Sequence, residues 1–151
     1  MGYRSDVRIV TSKKGFKKLN DYVRNYLKDK NEDYNLLEHL DFKVENSYEK
    51  YFGWNGIKWY DGCEGYEEVT AIVEGLSKLA EDDYSYRFAR IGESYDDYET
   101  YSYESEREEE QDLEYPSFIR EFDDEYTASF INQMDEKNNL SQVCEVSVWN
   151  Y

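Results

Sequence analysis

Few side chains in this sequence are suited to covalent or hydrolytic chemistry, and their spacing limits what they can do. The one histidine, His39, has Glu38 and Asp41 beside it, a grouping that could orient an imidazole as a general base if a Ser or Cys nucleophile reached it. Only a tertiary contact could bring one, and with Leu36, Leu37 and Leu40 around it His39 reads as a surface or helix-end residue. Cys63 and Cys144 each lack a CxxC partner, so they read as idle thiols in a reducing compartment or as one bridge, and not as zinc ligands. Walker A, GxGxxG, HExxH and EF-hand patterns do not occur. Glu93, Asp96, Asp97 and Glu99 could offer oxygens to a hard cation. Without a dedicated loop, the expectation is weak surface binding. A glycosidase pair would need two acids facing across a concave pocket, and acid is too abundant here for any pair to stand out. The expectation is a protein that is not an enzyme and has no cofactor and no metal centre.

Acid is the distinguishing feature. Among 151 residues the net charge is −17, and it is unevenly placed. Residues 1 to 60 carry 12 Lys and Arg against 9 Asp and Glu, a net of +3, whereas residues 61 to 151 carry 6 against 26, a net of −20. The stretch 93 to 125 holds 15 acids against Arg107 and Arg120. Such density destabilises a compact state through self-repulsion and exceeds the net charge of about 2 to 8 that keeps a small domain soluble. Either the block is a solvated face, or it serves a basic partner.

The elements that must position these acids are legible in part. A chain this charged folds because 18 % of its residues are aromatic, 17 of them Tyr. Alternation over Tyr3 to Thr11 predicts a strand, with Val7 and Ile9 on one side and Arg8 and Val10 on the other. Ser12 offers an N-cap to a helix running to about Leu27, whose stripe is Phe16, Leu19, Val23, Tyr26 and Leu27. Lys13, Lys14, Lys17, Lys18 and Arg24 lie off that stripe as a basic face. An extended segment begins at Phe42. From Ser47 to Tyr60 the pattern predicts a hairpin turning at Asn55-Gly56. A second amphipathic helix follows over Tyr66 to Ala80, then a strand from Tyr84 that ends at Gly92 and another over Tyr98 to Tyr103. Residues 104 to 114 are an acidic linker or a short helix held by neighbours. Pro116 precedes an extended restart over Ser117 to Phe122, Asp124 to Met134 suits a third helix, and Gln142 to Trp149 alternates like a final strand.

The fold class expected is α+β: a mixed or largely antiparallel sheet with helices packed on one face, in two layers. Residues 1–103 form the core, and 104–151 an acidic extension whose helix and strand join the same fold or a partner's. No run is apolar enough to span a bilayer and the first twenty residues lack a signal-peptide segment. The expectation is a soluble protein.

Met1-Gly2-Tyr3-Arg4-Ser5-Asp6, Ile57-Lys58-Trp59-Tyr60 and Phe88-Ala89-Arg90-Ile91-Gly92-Glu93 with Asp96-Asp97 resemble small uncharacterised proteins of bacteriophages and prophages, over roughly residues 1 to 100. That resemblance implies an accessory protein in the cytoplasm of a bacterial host and assigns no catalytic role. In that setting the expected function is an acidic protein-binding inhibitor or adaptor. It would occupy a basic, nucleic-acid-binding surface of a host defence protein, foremost a defence nuclease, as a DNA mimic of the anti-CRISPR or anti-restriction type. Phosphates recur about every 3.4 Å along each DNA strand, and alternate side chains of a β-strand about every 6.6 to 6.8 Å, so two adjacent strands can present a comparable lattice. The candidate contacts are Glu93, Asp96, Asp97, Tyr98, Glu99, Tyr101, Tyr103, Glu106, Glu108, Glu109, Glu110, Asp112, Glu114, Asp123 and Asp124, with tyrosines as the anchors that charge lacks. Direct nucleic-acid binding is opposed by the net charge, and no membrane partner is expected. The alternative is a structural or self-assembling phage accessory protein, for which a homodimer through the Cys144 to Trp149 edge stays open.

Overall fold

The computed structural model of the chain describes residues 2–118 and 121–140, with side chains of the last helix described through Asn132. The protein is α+β. Its strands are β1 (Ser5–Ser12), β2 (Phe42–Glu45), β3 (Glu49–Ile57), β4 (Tyr86–Ile91) and β5 (Tyr98–Tyr103). They form one sheet in the order β2-β3-β1-β4-β5, and every neighbouring pair is antiparallel. Helices α1 (Lys13–Asp29) and α2 (Glu67–Glu81) pack together over one face. A third helix, α3 (Asp124–Leu140), ends the described chain. The expected final strand over Gln142 to Trp149, with Cys144, lies outside the described residues. Among them, no helix is long and apolar enough to cross a membrane.

Period-two alternation builds the main core. Val7 pairs with Trp54, and Ile9 with both Phe52 and Phe88, so these large side chains share the face beneath Leu19, Val23, Val69, Ile72 and Leu76 of the two helices. Ser12 caps α1 as its sequence position predicts: its hydroxyl accepts the Gly15 N–H at 2.9 Å. The indole N–H of Trp54 is satisfied by the Leu36 carbonyl at 3.0 Å, so the ring can be buried without leaving a donor unpaired.

The hairpin expected across Asn55-Gly56 does not form. β3 runs through both residues, and Ile57 continues its pairing with β1. Between Trp54 and Ile57 the register slips against Val7 and Ser5, which makes a bulge with Gly56 at φ 61°. A type I′ turn and a glycine bulge both require left-handed backbone, so Asn-Gly satisfies either one. Asp6 and Asp41 decide the outcome by accepting the Gly56 and Asn55 N–H groups at 2.8 and 2.9 Å. The hairpin that does form joins β2 to β3 through Asn46, whose side-chain oxygen accepts the N–H groups of Tyr48 and Glu49 at 2.7 Å each.

Opposite the helices the sheet presents Arg8, Val10, Tyr51, Gly53, Arg87 and Ala89, as the register requires. Gly53 lies where a Cβ would overlap the Val7 carbonyl oxygen and crowd the Arg8 side chain. Replacing it should therefore push β1 and β3 apart. In thermal or denaturant unfolding, Gly53→Ala is expected to lose about 3 kcal/mol. Gly56→Ala, with open space around its Cβ but a left-handed backbone, should lose only about 1 kcal/mol.

Candidate partner-binding surface

The candidate contact residues belong to a chain segment that starts at the β4–β5 turn and returns across the second face of the sheet. That face carries Arg8 and Arg87 in its middle strands, each 3 % exposed. A guanidinium cannot be deprotonated at any ordinary pH, so each needs acceptors and a counter-charge brought to it. The segment after β5 supplies both.

Arg8 has all five of its N–H groups matched. Nε donates to Asp124 Oδ1 at 2.9 Å and Nη2 to Asp124 Oδ2 at 2.8 Å, a bidentate pair. Nη1 donates to the Val7 and Trp54 carbonyls, and Nη2 also to Asn55 Oδ1. Phe42 and Phe122 lie against the guanidinium, 5.2 and 5.0 Å from ring centre to Cζ. Tyr51 donates to the same carboxylate at 2.6 Å. Burial alone would push the Asp124 carboxyl up, but the hydrogen bonds from Arg8 and Tyr51 outweigh it and hold it below the usual carboxylate range.

Arg87 is covered less completely, its Nε buried without a hydrogen-bond partner. It pairs with Glu104, donates to the Tyr103 carbonyl, and lies 4.3 Å over the Tyr115 ring. Glu110 is 1 % exposed and accepts from the Ser12 hydroxyl at 2.6 Å and the Ser85 N–H at 2.9 Å. Its charge therefore reaches the N-terminus of α1 through the capping serine. The first turn of that helix has no acid and begins Lys13-Lys14, so Glu110 supplies from 98 residues away the negative charge that helix N-termini favour. Leu113 and Ile131 close the cover over Val10 and Tyr51.

The candidates divide accordingly. Glu110 is internal and Asp124 is partly covered, its side chain 25 % exposed, and the expectation that they face a partner is corrected by their bonds to Arg8, Ser12 and Ser85. Glu114 is half-buried, and its N–H donates to Glu49 at 3.1 Å. Asp123 caps α3 through the Tyr126 N–H, and Tyr103 donates to Asp83. Asp97 takes the Tyr3 hydroxyl at 2.5 Å and pairs with Arg90, which also holds Glu99 at 3.2 Å. Glu93 accepts the Arg4 N–H at 2.6 Å. Asp96, Glu106, Glu108, Glu109 and Asp112 are exposed and carry no side-chain hydrogen bond or ion pair among the described residues.

These five acids are not one cluster. Asp96 lies in the β4–β5 turn with Glu93, while the other four follow the far end of β5. The two groups are separated by the six residues of β5, about 20 Å at strand rise. Between them Tyr98 and Tyr101 stand 58 % and 56 % exposed on opposite faces. β5 is the outer strand of the sheet among the described residues, so no described strand pairs with the main-chain groups on its far side. The basic residues Lys13, Lys14, Lys17, Lys18 and Arg24 are exposed on α1, which packs against β1 and β3 away from this edge.

His39 ends a single 3-10 turn over Leu36–Glu38 and stacks on Tyr34 with ring centres 4.6 Å apart. Among the described residues, no Ser or Cys hydrogen-bonds to it. Cys63 is exposed. Among the described residues, no group of three or more His, Cys, Asp and Glu is gathered to hold a metal ion.

One group that sequence reasoning passed over is Glu49. It is wholly buried, Oε2 has no hydrogen-bond partner, and burial together with the nearby Glu114 carboxylate pushes its pKa up to about 7. Its only sequence signal was an acid at a position that alternates onto the second face. Because the folded chain holds this proton more tightly than the unfolded chain does, the stability it confers is full below the ordinary carboxylate range and is lost as pH rises through about 7. The depressed Asp124 acts oppositely, its stability being present above the ordinary range and lost as pH falls. Denaturant unfolding between pH 5 and 8 should show stability falling by about 3 kcal/mol, with Glu49→Gln removing most of that slope. Asp124→Asn should cost about 3 to 5 kcal/mol at pH 7 by leaving Arg8 buried without a counter-charge. No protein-family model, curated protein or solved structure matches this chain.

Proposed function

We propose that the protein is an acidic binding protein, an inhibitor or adaptor, that occupies a basic nucleic-acid-binding surface of a host defence protein with the β5 edge and the acidic segments at its two ends. One observation carries this reading. After the buried arginines and helix caps have taken their acids, Asp96 at one end of β5 and Glu106, Glu108, Glu109 and Asp112 at the other still face solvent without a side-chain partner among the described residues. No contact among the described residues uses those five charges, and each adds to self-repulsion. Tyr98 and Tyr101 between them supply rigid contact area, and the acids steer association toward a cationic groove. The resemblance to phage accessory proteins makes a defence nuclease the first target class.

Self-assembly is the second reading, favoured by the outer side of β5, which no described strand occupies and which is a template for another strand. The basic face of α1 gives a second copy's acidic edge a complementary surface.

The test uses a variant with Asp96→Asn, Glu106→Gln, Glu108→Gln, Glu109→Gln and Asp112→Asn, leaving Glu110 and Asp124 intact. It should fold as the parent does. Capture from bacterial lysate should retain a nuclease or DNA-binding protein on the parent chain, duplex DNA should displace it, and the variant should bind it at least about tenfold more weakly at low salt. Equal retention on both baits, or no displacement by DNA, would sink the proposal. A parent chain that elutes as a dimer and a variant that elutes as a monomer would move the case to self-assembly.

A further inference from the structure

A cavity of about 220 Å³ opens on the helix-bearing side of the sheet, near the β5 edge. Trp59, Asp61, Tyr86, Phe88, Glu99 and Tyr101 line it, and Val73, Leu76 and Ser77 of α2 close its back. The register of the sheet explains why these groups converge. Phe88 pairs with Tyr101, Tyr86 with Tyr103 and Arg90 with Glu99, so every second residue of β4 and β5 turns to this side. Trp59 follows β3 and leans on Phe88 with centroids 5.9 Å apart, and Phe88 in turn meets Tyr101 at 5.7 Å. The ring planes are inclined by 37° and 35°, not coplanar. Tyr101, more than half exposed, stands at the mouth, and Trp59 is nearly buried at the base.

The lining joins two kinds of group that apolar ligands do not need together. Trp, Tyr and Phe rings present negative faces. Two carboxylates, Asp61 and Glu99, stand at the same cavity, and their charge pushes the Tyr101 phenol up. Glu99 is shared with Arg90, whereas Asp61 makes no ion pair among the described residues. Anions are disfavoured there by like charge. The volume is below the roughly 300 to 1,000 Å³ of pockets that take drug-sized ligands, so the site suits a single head group.

We propose that this cavity binds an alkylammonium head group, held by the faces of Trp59, Phe88 and Tyr101 and by the charge of Asp61 and Glu99. Methylated ammonium fits this lining best, since it spreads its charge over apolar surface and is stabilised by ring faces within about 6 Å. The head group could come from a free small molecule such as choline or from a methylated lysine of a protein. The inference stands whether or not the acidic β5 edge binds a host protein, because it concerns a cavity that the isolated chain already contains.

The experiment titrates the whole protein with choline, with its uncharged isostere 3,3-dimethyl-1-butanol, and with N-acetyl amides of trimethyllysine and lysine. The readout is the shift of the Trp59 and Tyr101 ring resonances. Choline or trimethyllysine should saturate these shifts and bind at least about tenfold more tightly than the isostere. Asp61→Asn should weaken binding about three- to tenfold. Tyr101→Phe should preserve binding, and Tyr101→Ala should remove most of it with the unfolding midpoint recorded as a control. Whichever of choline and trimethyllysine binds more tightly identifies the source. Equal binding of the isostere, an unchanged choline affinity in both Asp61→Asn and Tyr101→Ala, or no shift with either cation up to about 20 mM would overturn the proposal.

Discussion

Arg8 has no charge-free form at ordinary pH and lies in the central strand of the sheet, 3 % exposed. Burying it costs several kcal/mol unless every N–H finds an acceptor and a carboxylate comes to meet it. The arrangement around it meets those demands by joining parts far apart in sequence: β1 itself, the bulge of β3 at Trp54 and Asn55, and Asp124 at the start of α3. Gly53 makes room for the side chain, and Phe42 and Phe122 cover it. The second face of the sheet is therefore completed only when the acidic segment returns across it. A sheet carrying Arg8 and Arg87 there without that segment would hold two uncompensated cations against apolar neighbours.

This constraint divides the acid of the second half into two populations. One is structural: Asp124, Glu104 and Glu110 answer Arg8, Arg87 and the lysine-rich start of α1, while Asp97 and Glu99 hold Arg90. The other faces water around β5 and adds repulsion without a partner among the described residues. The structural acids also bind the two halves together, so the positive first half and the negative second half form one body around one sheet. Charge that reads as a lopsided chain becomes, in part, charge complementarity within the fold.

The surface has two distinct chemistries on adjacent sides of the same edge strand. Alternation along β5 sends Tyr98 toward the acidic cover, where it meets Phe118, and Tyr101 toward the helices, where it meets Phe88 and the aromatic cavity. Rigid placement of both rings on a strand, instead of a loop, keeps the acidic ends and the cavity mouth at fixed separations. That fixity is what a recognition surface needs, because ordering costs are met by folding and not by binding.

By itself the sequence determined the elements with a strong local signal. Alternation placed Val7, Ile9 and Phe88 in strands, the apolar stripe from Leu19 to Leu27 made α1 and Ser12 began it, and β5 occupies Tyr98–Tyr103. These are set by periodicity and capping, which act over a few residues. Tertiary structure decided the rest. Asn55-Gly56 satisfied both a turn and a bulge, and the acceptors Asp6 and Asp41 selected the bulge. The acids of residues 104 to 124 looked alike in sequence because a carboxylate's local pattern does not reveal its counter-charge. Whether Glu110 is buried at a helix cap and Glu109 exposed depends on Ser12 and Ser85, and the fate of Asp124 depends on Arg8, 116 residues away. Long-range pairing of charge is a property of the folded sheet, and no local pattern encodes it.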